Sequence, residues 1–287
     1  MPGIKESHPK WSTQDDLLSF RYKFTTLDKI KFFFSTFTIF PLRLILLSVV
    51  LFFAYLACLL FHFGRDKNKP ISGLRKKYVV PFVLFLSKFF LISLGFTDVR
   101  VNGKKASREE APIILLVPHT SFFDAIICMV IAPVCVVSKR VNPFSIHGCI
   151  TQVCEPVFVD RDDKNSKHDA STAIINRLTS DEDWPQLALF PEGMISNKKA
   201  LLMFRKGAFN AGLPVQPVVI NYFNGYDTTS WLNQGPPPIA LLWLTMCNIQ
   251  NRLELTFLEP YIPSGSEIEN ASLYSHKVRD YILGSIN

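Results

Sequence analysis

Hydrophobic residues are concentrated in two long runs within the first third of the chain. The first run, Leu44 to Phe63, contains 20 residues, and none of them is Asp, Glu, Lys or Arg. A helix rises about 1.5 Å per residue, so this run would span roughly 30 Å, the thickness of a bilayer's hydrocarbon core. Because it begins well inside the chain and exceeds the apolar part of a secretory signal, it predicts a retained membrane helix. A buried core helix is the alternative interpretation.

The second run, Val79 to Phe96, is interrupted by Pro81 and Lys88. It predicts either the second arm of a helical hairpin or a helix that lies in the membrane interface. Basic residues occur on both sides of the first run, so the positive-inside rule leaves the orientation open. They are Lys23, Lys29, Lys31 and Arg43 upstream, and Arg65, Lys67, Lys69, Arg75, Lys76 and Lys77 downstream.

After Phe96 the pattern changes to short β-type runs that alternate with polar or helical stretches. The predicted strands are Ile113–Val117, Val134–Val137, Pro156–Val159, Leu187–Phe190, Gln216–Asn221 and Leu253–Leu258. The predicted helices are Phe122–Ile131, Ser166–Leu178 and Ala271–Leu283, and Pro236–Pro238 marks a surface loop. This alternation predicts an α/β domain with a mixed, mostly buried sheet and flanking helices, preceded by the N-terminal transmembrane or hairpin region.

Composition narrows the class of partner. The net charge of +7 favours an anionic partner, either a nucleic acid, a phosphate-rich membrane surface or an anionic cofactor. A hydrophobic content of 48%, with 16 of the 25 Phe at or before Phe96, argues against a nucleic-acid binder and for membrane lipids. The six cysteines form no C-x-x-C pair, so we expect reduced, mostly buried thiols and no metal site.

His119 and Asp124 are the strongest candidates for chemistry. His119 follows the first strand of the predicted domain, and Asp124 lies in the first turn of the next helix. Residues five apart in a straight helix point about 140° away from each other, so the strand-to-helix turn must bring the two side chains together. A carboxylate on one ring nitrogen leaves the other as a base, and no Ser or Cys nucleophile is needed. A capping box formed by Ser121 and Asp124, with an ordinary turn histidine, is the alternative.

Arg161 is delivered by the end of the predicted strand Pro156–Val159. A guanidinium in this position suits a phosphate of CoA or of a lipid. A solvated ion pair with Asp160 is the alternative interpretation.

Glu192 and Gly193 follow another predicted strand, in the sequence Phe190-Pro-Glu-Gly. The glycine allows a ligand to approach the backbone, and the carboxylate can accept hydrogen bonds from a substrate or order a basic residue. A plain turn is the alternative. The basic stretch that follows, which suits phosphates or a solvated face, contains Lys198, Lys199, Arg205 and Lys206.

Four segments, in this order, resemble the motif blocks of the glycerolipid acyltransferase superfamily, that is, of acylglycerolphosphate acyltransferase-like proteins. They are VPHTSFFDA, PVFVDRDD, LFPEGM and LPVQPVVI. The segments WPQLALFPEG, FRKGAF, PVQPVVINY, TTSWLNQGPP and LLWLTMCNIQNRLELTFL look like the lysophosphatidylcholine acyltransferase branch. The resemblance divides the chain into a polar and basic segment (1–40), a membrane-associated helical region (41–96) and an acyltransferase catalytic domain (97–287).

The resemblance implies an enzyme of the endoplasmic reticulum membrane, with a cytosolic catalytic domain, that acylates lysophosphatidylcholine to phosphatidylcholine. It implies acyl-CoA as co-substrate, no bound cofactor, His119 as base and Asp124 as its partner. It further implies phosphate binding by Arg161 and an acceptor site shaped by Glu192 and Gly193. Open alternatives are a lysophosphatidic acid or ether-linked acceptor, a thioesterase-like hydrolase and a non-catalytic membrane scaffold.

Two departures from the superfamily's pattern stand out. Met194 occupies the position of the usual threonine, so a hydroxyl contact from that position is lost. The sequence ends at Asn287, before the region in which longer members of the branch carry calcium-binding motifs, and we therefore expect no calcium regulation.

Overall fold

The computed structural model describes residues 23–62, 64–66, 69–121, 123–124, 127, 134–139, 142, 145–159, 164–197, 200–232 and 235–286. Within these residues, seven strands form one sheet. The strands are β1 (Phe96–Asn102), β2 (Ile113–Val117), β3 (Val134–Lys139), β4 (Val157–Val159), β5 (Gln186–Leu189), β6 (Val215–Phe223) and β7 (Asn251–Phe257). Their spatial order is β1-β7-β6-β2-β5-β3-β4.

The helices surround this sheet and also precede it. They are α1 (Thr26–Phe37), α2 (Ile39–His62), α3 (Val80–Ser93), α4 (Ile146–Val153), α5 (Lys164–Thr179), α6 (Pro238–Cys247), α7 (Ser266–Glu269) and α8 (Ala271–Ile286). A π-helical turn, Arg75–Val79, leads into α3, and a 3-10 turn, Lys206–Ala208, precedes β6.

The sheet is mixed, with β6 and β7 antiparallel and the other neighbours parallel. Strand β2 lies at its centre, between β5 and β6, and all of its residues are buried. A parallel strand covered on both faces is apolar on both sides, which explains its unbroken run of Ile, Leu and Val. On one face Leu116 shares a buried cluster with Leu47 of α2, and on the other Leu115 shares one with Tyr274 of α8.

Helices α2 and α3 pack against each other along their length. Val50 and Ala54 of α2 form a buried cluster with Leu86 of α3. The segment Ile39–Phe61 is long and apolar enough to cross a membrane, and 33% of its most apolar 18-residue stretch is buried inside the protein. The large side chains that this pair exposes include Phe52, Phe53, Leu60, Phe82 and Phe85. The helix pair therefore presents an aromatic and aliphatic outer surface.

Arg43, near the start of α2, fixes this helix to the rest of the molecule. Its guanidinium donates hydrogen bonds to the carbonyl oxygens of Met246 (2.7 Å), Asn248 (2.5 Å) and Ile249 (2.8 Å). These carbonyls lie at the carboxyl end of α6, where a helix leaves backbone acceptors unpaired and where a positive charge is favourable. The apolar helix is thus attached to the domain by polar contacts as well as by packing.

The fold class predicted from the sequence is confirmed, as a mixed α/β sheet with flanking helices. Each predicted strand is present, with bounds that differ by a few residues. The second apolar run is not one element, since α3 ends at Ser93 and β1 begins at Phe96, after Gly95, which has a φ of +86°. The predicted helix Phe122–Ile131 lies mostly outside the described residues.

Candidate active site

His119 lies just beyond the carboxyl end of β2, after Pro118, which is joined to Val117 by a cis peptide bond. Its ring stacks on Phe190, with 4.1 Å between centroids and 25° between planes. Phe190 follows β5, the parallel neighbour of β2, so the two rings come from adjacent strand ends. Ligands of open α/β sheets bind at this edge. The imidazole is 20% exposed, so solvent and substrate have access to it.

Asp124 meets His119 as the sequence predicts. Its Oδ2 is 2.8 Å from His119 Nδ1, and the carboxylate is fully buried. The same oxygen accepts the backbone N–H groups of Thr120 and Ser121, both at 2.9 Å. Asp124 therefore takes part in both structures that the motif allows. Its contact with Ser121 is half of a capping box, and its contact with His119 forms a His–Asp pair. Since the carboxylate accepts, Nδ1 carries the hydrogen and Nε2 is left as the basic nitrogen.

Tyr222, on β6, was not assigned a role from the sequence. Its hydroxyl donates a hydrogen bond of 2.5 Å to Asp124 Oδ1. The partners are 98 residues apart in the chain, and the only available signal was a tyrosine next to the predicted strand Gln216–Asn221. The buried carboxylate is thus held on both oxygens.

Glu192 lies behind His119 and does not point into solvent, being 1% exposed. One oxygen accepts the backbone N–H of His119 at 2.7 Å, and the other accepts that of Leu202 at 2.9 Å. Burial raises the pKa of Glu192 from 4.5 to about 6, while the two N–H donors and the charge of His119 oppose that rise. The carboxylate therefore contacts the backbone that carries His119.

Gly193 has a φ of +68°, a left-handed conformation that favours glycine. A Cβ at this position would lie 3.0 Å from Cγ of Arg205, whose side chain is exposed. Met194 follows and is 39% exposed. Arg161 lies outside the described residues. Among the described residues, no group of His, Cys, Asp and Glu side chains is arranged to hold a metal.

Backbone contacts hold the His119 segment from two further directions. The N–H of Ser196 donates to the carbonyl oxygen of His119 at 2.9 Å, and the N–H of Trp231 donates to that of Thr120 at 3.0 Å. The imidazole is therefore carried by a backbone that two separate loops fix, the loop after β5 and the loop after β6. Such preorganisation is a requirement of a precise reactive site.

Comparison with known proteins identifies the part of the chain that carries this site. Residues 98–221 match the family model named Acyltransferase. This segment is therefore similar to the domain that the Acyltransferase family model describes. The match includes His119, Asp124, Glu192 and Gly193 and ends at Asn221, one residue before Tyr222.

Similarity to curated proteins extends beyond this segment on both sides. The chain is 38% identical over 261 residues to lysophosphatidylcholine acyltransferase 1 of Danio rerio, covering 90% of this chain and 50% of that protein. It is 35% identical over 266 residues to lysophosphatidylcholine acyltransferase of Drosophila melanogaster, covering 91% and 50%. The chain thus spans about half the length of these relatives.

A solved structure has the same fold. The crystal structure of the 1-acyl-sn-glycerophosphate acyltransferase PlsC of Thermotoga maritima superposes with a TM-score of 0.54 at 17% sequence identity. The superposition covers 90% of this chain and 98% of that one. At this level of sequence identity the likeness concerns the fold alone.

Proposed function

We propose that this protein is a membrane-anchored acyltransferase that moves a fatty acyl group from acyl-CoA to the free hydroxyl of a lysophospholipid, with lysophosphatidylcholine as the acceptor. The observation that carries the proposal is the contact of 2.8 Å between His119 Nδ1 and Asp124 Oδ2, within the segment that matches the Acyltransferase family model. The names of the relatives support the choice of acceptor.

In the proposed reaction, Nε2 of His119 takes the proton of the lysolipid hydroxyl as the oxygen attacks the thioester carbonyl. The buried carboxylate of Asp124 holds the imidazole in the reactive tautomer and stabilises the imidazolium as it forms. The carbon–sulfur bond of the tetrahedral intermediate then breaks, and the CoA thiolate leaves with the proton from His119. A positioned base of this kind contributes roughly 10²- to 10⁴-fold to the rate.

The remaining predicted site residues receive revised roles. Glu192 acts through the backbone of His119, because both of its oxygens accept backbone N–H groups. Gly193 allows the chain to turn beside Arg205, whose exposed guanidinium is suited to a phosphate of CoA or lipid. Arg161 is kept as a second candidate for a phosphate contact. The proposed reaction uses no metal and no bound organic cofactor.

The proposed anchor is the pair formed by α2 and α3, placed in the endoplasmic reticulum membrane with the acyltransferase domain on the cytosolic side. The length and apolar surface of Ile39–Phe61 support it. Alkaline carbonate should then leave the full-length protein in the membrane pellet. Release into the supernatant would contradict the anchor.

The decisive experiment is an acceptor panel. Membranes carrying the protein receive one labelled acyl-CoA and, in parallel, lysophosphatidylcholine, lysophosphatidic acid, an ether-linked lysolipid or no acceptor, and products are identified by mass. Labelled phosphatidylcholine supports the proposal. Free fatty acid in the acceptor-free sample would indicate a hydrolase, and product only from another lysolipid would replace the acceptor. No turnover in any sample would favour a scaffold.

The His119→Ala variant tests the mechanism in the same assay. We expect a loss on the order of 10²-fold or more, with unchanged membrane content. His276→Ala is the matched control, since His276 is exposed on α8 and contacts the carbonyl oxygen of Ser272. Activity of His119→Ala close to that of the control would remove His119 from the mechanism.

A further inference from the structure

We propose that Tyr222 is a positioning residue for the reaction, holding Asp124 so that Asp124 in turn holds His119. The inference rests on the proposed function, because it assigns His119 as the base. The direct observation is the hydrogen bond of 2.5 Å from the Tyr222 hydroxyl to Asp124 Oδ1. Hydrogen bonds of this length from O–H to a carboxylate belong to the strong, charge-assisted class.

The sheet explains how a residue so distant in sequence reaches the His–Asp pair. Strand β2 ends at Val117, which is opposite Val219 of β6. Strand β6 continues to Phe223, so Tyr222 lies beyond the end of β2, where the chain turns through His119 to Asp124. In this extension Tyr222 is held by β7, opposite Leu253. The longer strand thus forms a fixed wall beside the turn.

The burial of Asp124 makes the hydrogen bond from the Tyr222 hydroxyl important. Asp124 has no exposed surface, and a buried carboxylate oxygen without a donor is costly. Oδ2 is engaged by His119 and by two backbone N–H groups, whereas Tyr222 approaches from the side of Oδ1. The hydroxyl therefore contributes, together with the contacts of Oδ2, to fixing the rotation of the carboxylate about its side-chain bond. That rotation determines whether Oδ2 remains in line with Nδ1 of His119.

The phenol ring and its hydroxyl have separable roles. The ring belongs to the buried core. Its centroid lies 5.7 Å from that of the Phe96 ring, with 54° between the ring planes. Tyr222→Phe keeps this packing and removes only the donor. We expect kcat to fall about 10- to 100-fold, equivalent to roughly 1.4–2.8 kcal/mol, with both KM values nearly unchanged. The reason is that the hydroxyl acts on the base and touches neither substrate.

Tyr274→Phe is the matched control. Like Tyr222, Tyr274 is buried, and its hydroxyl donates to the carbonyl oxygen of Leu213 at 2.8 Å, in the cluster on the opposite face of the sheet. Both variants lose one buried hydroxyl, so a general loss of packing would affect them alike. We expect Tyr274→Phe to lower the melting temperature and leave kcat at the wild-type value. Equal kcat values for the two variants would overturn the proposal.

A double-mutant cycle with Asp124→Asn separates positioning from an independent effect. If Tyr222 acts through Asp124, adding Tyr222→Phe to Asp124→Asn should cost little further activity, whereas independent effects would multiply. If the Tyr222→Phe single variant does not accumulate, the test is the melting temperature of the double variant. The double variant should then melt close to Asp124→Asn, because a neutral amide needs the donor less. A double variant that also fails to fold would contradict the coupling.

The cycle also distinguishes failure of this inference from failure of the proposed function. A wild-type protein that transfers no acyl group in the acceptor panel refutes the function. The role of Tyr222 alone is refuted if the wild type is active and Asp124→Asn lowers its kcat, while Tyr222→Phe leaves kcat unchanged.

Discussion

Replacing Glu192 by Gln tests whether this residue serves the acceptor or the backbone of His119. The sequence motif predicted an acceptor role, in which loss of the carboxylate would raise KM for the lysolipid. The geometry predicts a different result, because an amide has one acceptor oxygen where the carboxylate uses two. One backbone N–H, that of His119 or of Leu202, would lose its partner. We expect kcat to fall about 10-fold or more with KM unchanged, because small displacements of a reactive group are costly.

The pKa of Glu192 provides a second, independent measure. Its rise from 4.5 to about 6 corresponds to about 2 kcal/mol of unfolding free energy. Because the folded-state pKa is the higher one, the folded protein binds more protons between these values. The contribution of this group is therefore fully present below pH 4.5 and is lost as pH rises through about 6. A glutamine side chain at this position does not titrate and has no such dependence.

The unfolding free energy of Glu192→Gln should consequently fall further below that of the wild type in acid than at neutral pH. At pH 7.5 the loss of one buried hydrogen bond, about 1–3 kcal/mol, is offset by relief of the charge burial, and the two proteins should unfold within about 1 kcal/mol of each other. At pH 4 the wild type should gain about 2 kcal/mol over the variant. Unfolding in detergent micelles at both pH values measures this difference.

Glu267→Gln is the matched control for Glu192. Glu267 is a buried carboxylate that accepts the Tyr261 hydroxyl on one oxygen, at 3.0 Å, and the N–H of Ser264 on the other, at 3.1 Å. We expect it to alter stability without altering kcat. The reasoning is refuted if Glu192→Gln keeps wild-type kcat, or if its stability relative to the wild type is the same at both pH values.

Three further predictions concern the site and its orientation. Asp124→Asn should lower kcat on the order of 10²-fold or more by fixing the wrong imidazole tautomer; a loss of only about 1 kcal/mol in stability, with activity retained, would reduce Asp124 to a helix cap. Gly193→Ala should lower the unfolding free energy by about 1 kcal/mol or more, measured by denaturant, because of its left-handed φ and the contact with Arg205. Asn270, exposed in the chain's N-x-[ST] sequon, should stay unglycosylated in microsomes if the domain is cytosolic; a glycan removable by endoglycosidase would reverse the orientation.

The elements that could be predicted from the sequence are those whose pattern is local. The run Ile113–Val117 predicts β2 because a strand buried on both faces is uniformly apolar. Strand β1 was missed because Phe96–Asn102 is an edge strand that exposes most of its residues, so its pairing with β7 is decided by tertiary contacts. Pro236–Pro238 was interpreted as a loop, yet Pro238 begins α6, since proline is well suited to the first helical turn.

The same distinction applies to the site. The pairing of His119 with Asp124 was predictable because one short turn carries both residues. The contacts of Glu192 with the backbone of His119 and of Tyr222 with Asp124 were not, since they join residues 73 and 98 positions apart. Side-chain identity predicts what such residues can donate or accept. Which partners they meet is determined by the strand order, because β5 and β6 lie on either side of β2.

The apolar helix α2 and the His–Asp pair belong to one packed body, and under the proposed function this constrains catalysis. Leu47 of α2 lies in the same buried cluster as Phe123, the neighbour of Asp124, and as Tyr222. Arg43 adds hydrogen bonds from the start of α2 to the end of α6. Because interiors are close-packed, α2 cannot tilt without disturbing the support of His119. If α2 is held by the bilayer, the fold therefore sets the distance of the imidazole from the lipid surface. The proposed lysolipid acceptor would then have to bring its hydroxyl to that level.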